Sequence, residues 1–146
     1  MAPDDSTLDE RKRLARRIPE EIASEGAIDV VDELFAEGVV ARISPLGEAR
    51  GREEFRKLPR RMRGAFPDLE ATVDEIVAEG DHVAMHVTLV GTHRGQFMGV
   101  DPTGESFEIE HAIFVRFDDD EIVELWGQLD AFDLQRQLGV LDHPAG

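Results

Sequence analysis

The chain has no cysteine, no tyrosine, one tryptophan and few bases, with 16 Lys+Arg against 32 Asp+Glu. The missing cysteine excludes a disulfide framework, a thiol nucleophile and a thiolate metal site. No apolar run is long enough to span a bilayer and no secretory signal pattern is present. A membrane partner is therefore not expected, and the cytoplasm is the expected compartment. The shortage of bases leaves a formal net charge of −16. Such a field repels phosphate and disfavours nucleic-acid binding. It also strains a compact fold through self-repulsion, which salt relieves, the Debye length falling to about 3 Å at 1 M. The charge reads as that of a halophilic, salt-adapted acidic protein, with an acidic partner-binding domain as the alternative. At 146 residues the chain is expected to form one domain, 1–146, of a size that buries about 68–70% of its unfolded surface.

The few bases are concentrated. Arg11, Lys12, Arg13, Arg16 and Arg17 form one cluster, and Arg50, Arg52, Arg56, Lys57, Arg60, Arg61 and Arg63 form another. One reading is an anion-binding surface. The other, favoured because charge blocks usually mark solvated faces, is a pair of helices that neutralise the acidic sheet or a neighbouring subunit. Leu14, Ile18 and Ile22 recur every four positions as a helical stripe that Pro19 kinks or restarts. Ile28, Val31, Leu34 and Phe35 predict a short second helix, and "GVVARIS" (38–44) a strand ended by Pro45 and Gly47. Phe55, Leu58, Met62 and Phe66 predict a third helix from about Arg52, with Pro59 inside it. Strands are expected at 69–80, 82–93 and 106–117, and in the first half of 122–139, which ends as a helix. Residues 1–6 and 141–146 read as loose tails. The order is α-α-β-α followed by four antiparallel strands, an α+β fold with helices on one side of a sheet.

Candidate chemistry lies on the last two strands. In 106–117 the row Phe107, Ile109, His111, Ile113, Val115 and Phe117 shares one face. His111 is thus a lone polar residue on an apolar face, either a satisfied core histidine or a proton donor and acceptor in a cavity. In the next strand Trp126, Gln128 and Asp130 share a face, and the short acidic turn between the strands makes the two rows neighbours. Whether His111 and that row meet on one side depends on register, which the turn leaves open. An acid among apolar neighbours has its charged form disfavoured, which suits proton transfer. Equally, Asp130 precedes the helix 131–138 at the position of a preferred N-cap.

The stretch from Phe66 to Gly139, above all "GTHRGQFMGVDPTG" (91–104) and "IVELWGQLD" followed by "LQRQLG", resembles the SnoaL-like polyketide cyclase (ester cyclase) family of the nuclear transport factor 2-like superfold. The resemblance implies a curved antiparallel sheet wrapped around N-terminal helices, a cystatin-like cone with a central pocket and a homodimer or higher assembly. It also implies intramolecular aldol closure of a carbonyl compound, without metal or organic cofactor, using an aspartate as acid/base. That aspartate falls on Asp130, with Trp126, Gln128 and His111 around it. The chain departs from the family's pattern after the first strand, where "VARISPLG" offers only Arg42 as a charged group.

Other constellations are weaker. His82, His86 and His93 could suggest a metal, but no carboxylate has ligand spacing, so none is assigned and these histidines are read as facing solvent or an interface. "DDDE" (118–121) lacks the calcium-loop pattern and is a hairpin turn. The expected function is binding of a small molecule, with cofactor-free acid/base catalysis of the cyclase or isomerase type. Asp130 and His111 are the expected catalytic pair, and Trp126, Gln128, Arg42, Phe97 and His86 the expected ligand contacts. A non-catalytic binder on the same pocket is the alternative, and an epoxide-hydrolase-like reading would need a second carboxylate or an arginine beside Asp130, for which Arg42 is the obvious candidate.

Overall fold

The computed structural model describes residues 3–140. Helix α1 (Asp5–Arg17) starts at Asp4, whose carboxylate accepts the Thr7 amide at 2.8 Å and so satisfies a donor left bare at the helix start. Asp5 and Ser6 are therefore helical rather than part of a tail, while 141–146 lie outside the described residues. α1 does not stop at Pro19 but widens into a π-helical turn, Ile18–Ala23, since proline has no N–H for the carbonyl four residues back. Beyond it come α2 (Val30–Leu34), β1 (Phe35–Ser44), β2 (Gly47–Arg50) and α3 (Gly51–Ala65). The second half holds β3 (Glu70–Glu79), β4 (His82–Thr92), β5 (Ser106–Asp118), β6 (Glu121–Leu129) and α4 (Ala131–Leu138).

The strands form one curved, unclosed sheet in the order β2-β1-β6-β5-β4-β3. Every neighbouring pair is antiparallel except β1 and β6, which run parallel. β2 was not visible in the sequence because only Ala49 of its four residues is buried, too few to show alternation. Register shifts in β3 and β6 add unpaired residues, and such bulges bend a strand. The N-terminal helices pack into the concavity.

α3 runs unbroken through Pro59 and buries Phe55, Leu58, Met62 and Ala65 along one side. The Phe35 and Phe55 rings, 4.4 Å apart at their centroids, pin α3 to β1, each ring worth about 1.5–3 kcal/mol of burial. Arg63 ties α3 to the π-helical turn and to the segment before β3: its guanidinium donates to the carbonyls of Ala23, Ser24 and Pro67 at 2.8, 3.0 and 2.9 Å. The Ser24 hydroxyl donates to the Pro19 carbonyl at 2.9 Å and accepts the Ala71 amide at 2.8 Å, so the π-helical turn is fastened to β3. The basic clusters are largely paired within the chain, Arg17 with Glu21, Arg52 with Glu121 and Arg56 with Asp32. Surface pairs of this kind contribute about 0–1 kcal/mol each.

The loop after β4 docks on the end of α3, the amides of Arg94 and Gly95 donating to the Ala65 carbonyl at 2.9 and 3.0 Å. A Cβ on Gly95 would collide with the Gly64 carbonyl, whereas one on Gly64 would meet nothing. Gly95→Ala should cost at least about 1–3 kcal/mol in urea unfolding. Gly64→Ala, in an exposed stretch of helix, should gain about 0.5–1 kcal/mol. Equal effects of the two would contradict this docking.

Candidate functional site

Between the helices and the concave face lies an apolar cavity of ≈ 80 Å³. The π-helical turn contributes Pro19, α3 contributes Pro59 beside Leu58 and Met62, and the sheet contributes inward rows that include Leu89, Ile113, Leu125 and Leu129. Pro19, read in the sequence as a kink or restart, and Pro59, inside the third helix, are both wall residues. Among the described residues one lining side chain is polar, that of His111.

The position of His111 follows from strand parity. It alternates inward with Ile109 and Ile113 and is 9% exposed. Its Nδ1 is buried with no hydrogen-bond partner among the described residues. A buried polar atom left unpaired costs about 1–3 kcal/mol, so the site carries unused hydrogen-bonding capacity. Burial pushes the imidazole down from 6.5 to about 4, against a weaker opposing pull from the Gln128 backbone. At neutral pH the ring is uncharged and can donate one hydrogen bond and accept another.

Asp130 is elsewhere. It is exposed and caps α4, its carboxylate accepting the Asp133 amide at 3.0 Å. The register sets His111 opposite Leu129, so Leu125, Gly127 and Leu129 face inward while Trp126, Gln128 and Asp130 face outward. The expected Asp130–His111 pair is thus not brought together, and among the described residues no carboxylate lines the cavity.

The remaining candidates also lie outside it. Trp126, Gln128 and Arg42 do come together, in an open groove on the outer face with Ser44 and Glu48. There Arg42 faces Glu48 and Glu124 at 3.8 and 3.7 Å, which leaves it no role beside a cavity carboxylate. His86 is on the same outer face, 3.5 Å from Glu110. Phe97 is buried against Phe66 at 5.1 Å, in the loop after β4, and is core rather than cavity wall. His93, expected to meet solvent or an interface, is fully buried, and its Nδ1 accepts the Thr103 amide at 3.2 Å. Among the described residues no cluster of three or more His, Asp or Glu is placed to hold a metal. Nor is any helix long and apolar enough to cross a membrane.

The family model described as SnoaL-like polyketide cyclase matches residues 13–138. No curated protein matches the chain. Among solved structures, AclR from Streptomyces galilaeus, named as a candidate hydroxylase, is 30% identical with a TM-score of 0.80, over 92% of this chain and 99% of its own. IdmH from Streptomyces antibioticus, named as a candidate polyketide cyclase, is 33% identical with a TM-score of 0.78, over 89% and 99%. A SnoaL-like protein from Jannaschia sp. CCS1 is 21% identical with a TM-score of 0.87, over 96% and 99%, a likeness of fold.

The buried neutral imidazole makes stability depend on pH. Because its folded value lies below its unfolded one, the unfolded chain takes up the extra proton between about 6.5 and about 4. Stability contributed by the neutral ring is full above that window and is lost as pH falls through it, by up to about 3 kcal/mol. Urea unfolding from neutral pH to pH 4 should therefore show a steeper acid loss for the wild type than for His111→Leu. Parallel profiles would show that the ring titrates as if exposed.

Proposed function

The chain belongs to the SnoaL-like polyketide cyclase family, and from this we propose that its cavity binds a small, mainly apolar carbonyl compound through the His111 imidazole. The observation that carries the proposal is that, among the described residues, His111 is the single polar side chain of an otherwise apolar wall. Apolar pockets with one or a few placed polar groups are the usual form of small-molecule sites. An uncharged ring can donate to a carbonyl oxygen, and that bond is worth more in a water-poor cavity than in water.

A second reading keeps acid/base turnover of the cyclase or isomerase type, which family membership favours. That chemistry needs a base for the proton alpha to a carbonyl and a donor for the developing oxyanion. His111 is suited to the donor role. Asp130 follows directly on Leu129, a cavity residue, and is the candidate base only when its carboxylate leaves the Asp133 amide.

Acetophenone, a small apolar ketone, separates the readings when combined with two variants. His111→Leu should weaken its binding by roughly tenfold or more, the worth of one hydrogen bond in a dry site. Asp130→Asn keeps a good N-cap and should leave binding and stability unchanged, with the rate of cyclisation of a linear diketone read alongside. A rate abolished with binding intact makes Asp130 the base and the protein a cyclase. A rate at background in the wild type as well makes it a binder. Unchanged acetophenone binding in His111→Leu would remove the basis of both.

We further propose a homodimer, which family membership favours, and salt adaptation, supported by the net charge of −16. Sedimentation and thermal melts from about 0.1 M to about 1 M KCl, where the Debye length falls from about 10 to about 3 Å, should show a dimer and a rising melting temperature. A monomer, or a flat melting profile, would overturn the corresponding half of this statement.

A further inference from the structure

Glycine inside a strand weakens it, so a buried one usually marks a close approach. Gly127 is such a residue. In β6 the inward row reads Leu125, Gly127, Leu129, with Gly127 directly opposite Ile113 of β5 and beside Ile43 of β1. A Cβ built on it would lie 3.2 Å from Cε1 of His111 and 3.1 and 3.2 Å from the Cγ1 and Cγ2 atoms of Ile43. The imidazole therefore leans diagonally over the glycine, from its own place opposite Leu129.

We propose that Gly127 is a positioning residue for cavity binding: its missing side chain leaves the notch in which the His111 ring lies, so that the ring forms part of the cavity wall instead of filling the space. The inference rests on the reading that the cavity binds its ligand through His111. No other inward position at this level of β6 offers the notch, because Leu125 and Leu129 both carry large side chains that line the cavity. Contacts of 3.1–3.2 Å are tighter than ordinary van der Waals separation. An added methyl group would move the ring, Ile43 or both, and because both residues line the cavity either movement would change its wall.

The test is Gly127→Ala, with the His111 Cε1–H resonance as reporter and acetophenone as probe. The resonance should shift, its titration midpoint should change with the surroundings of the displaced ring, and acetophenone affinity should fall by roughly 10- to 100-fold. Resonance, midpoint and affinity all equal to wild type, whatever the melting temperature does, would make Gly127 a purely structural glycine and overturn the inference. Should Gly127→Ala not fold, Gly127→Ala combined with Ile43→Ala relieves both Ile43 contacts and keeps the one to His111. The same readouts, taken against Ile43→Ala alone, then decide in the same way. Failure of the underlying reading looks different, because acetophenone would leave the His111 resonance of the wild type unmoved. The midpoint comparison would still judge whether Gly127 places the ring.

Discussion

One extra residue in β6 sets the arrangement of the site. At the hairpin Phe117 stands opposite Ile122, both buried, but Arg116 is opposite Glu124, so Val123 is bulged out of the ladder. Side chains alternate faces with a period of two, and a one-residue slip exchanges the faces. Continued without the bulge, the same hairpin would set His111 opposite Gln128 and turn Trp126, Gln128 and Asp130 into the cavity. With it, Leu125, Gly127 and Leu129 face inward, and the polar row lies outside.

The consequences follow from that register. The cavity wall becomes apolar except for one imidazole, which burial keeps neutral at ordinary pH. The strand ends with Asp130 free to cap α4, so its carboxylate is engaged at the helix start. Gly127 falls where His111 and Ile43 crowd together, and a larger residue would fill the space they share. Opposite the sheet, the two proline-bearing helical segments close the cavity, held by Arg63 and Ser24 through backbone carbonyls and amides. An apolar chamber of this kind strengthens any hydrogen bond made in it and penalises any polar group left unpaired.

Much of this was legible in the sequence, and the failures are physical. The alternation from Phe107 to Phe117 marked His111 as a lone polar residue on an inward face, and the strand-to-helix junction at Asp130 was correctly located. The α+β order and most element limits followed from periodicity. Register did not, because Ile122 and Leu125 are both buried although they lie on opposite parities of β6, so no single alternation runs through the start of the strand. β2 was too short and too exposed to show alternation. Pro59 lies inside the predicted helix and α3 does continue through it, as tertiary packing of Phe55, Leu58 and Met62 outweighs the lost hydrogen bond. Arg42, Trp126 and Gln128, expected among the ligand contacts, lie together on the outer face, a placement that the open register left undecided.

The central claim is that the ligand-binding surface is the inner, His111 side of the sheet. Intermolecular nuclear Overhauser effects from bound acetophenone test it most directly. The account predicts contacts to the His111 ring and to the methyl groups of Ile113, Leu125 and Leu129. Contacts to the Trp126 indole and the Gln128 side chain, with none to His111, would place binding on the outer face and contradict it.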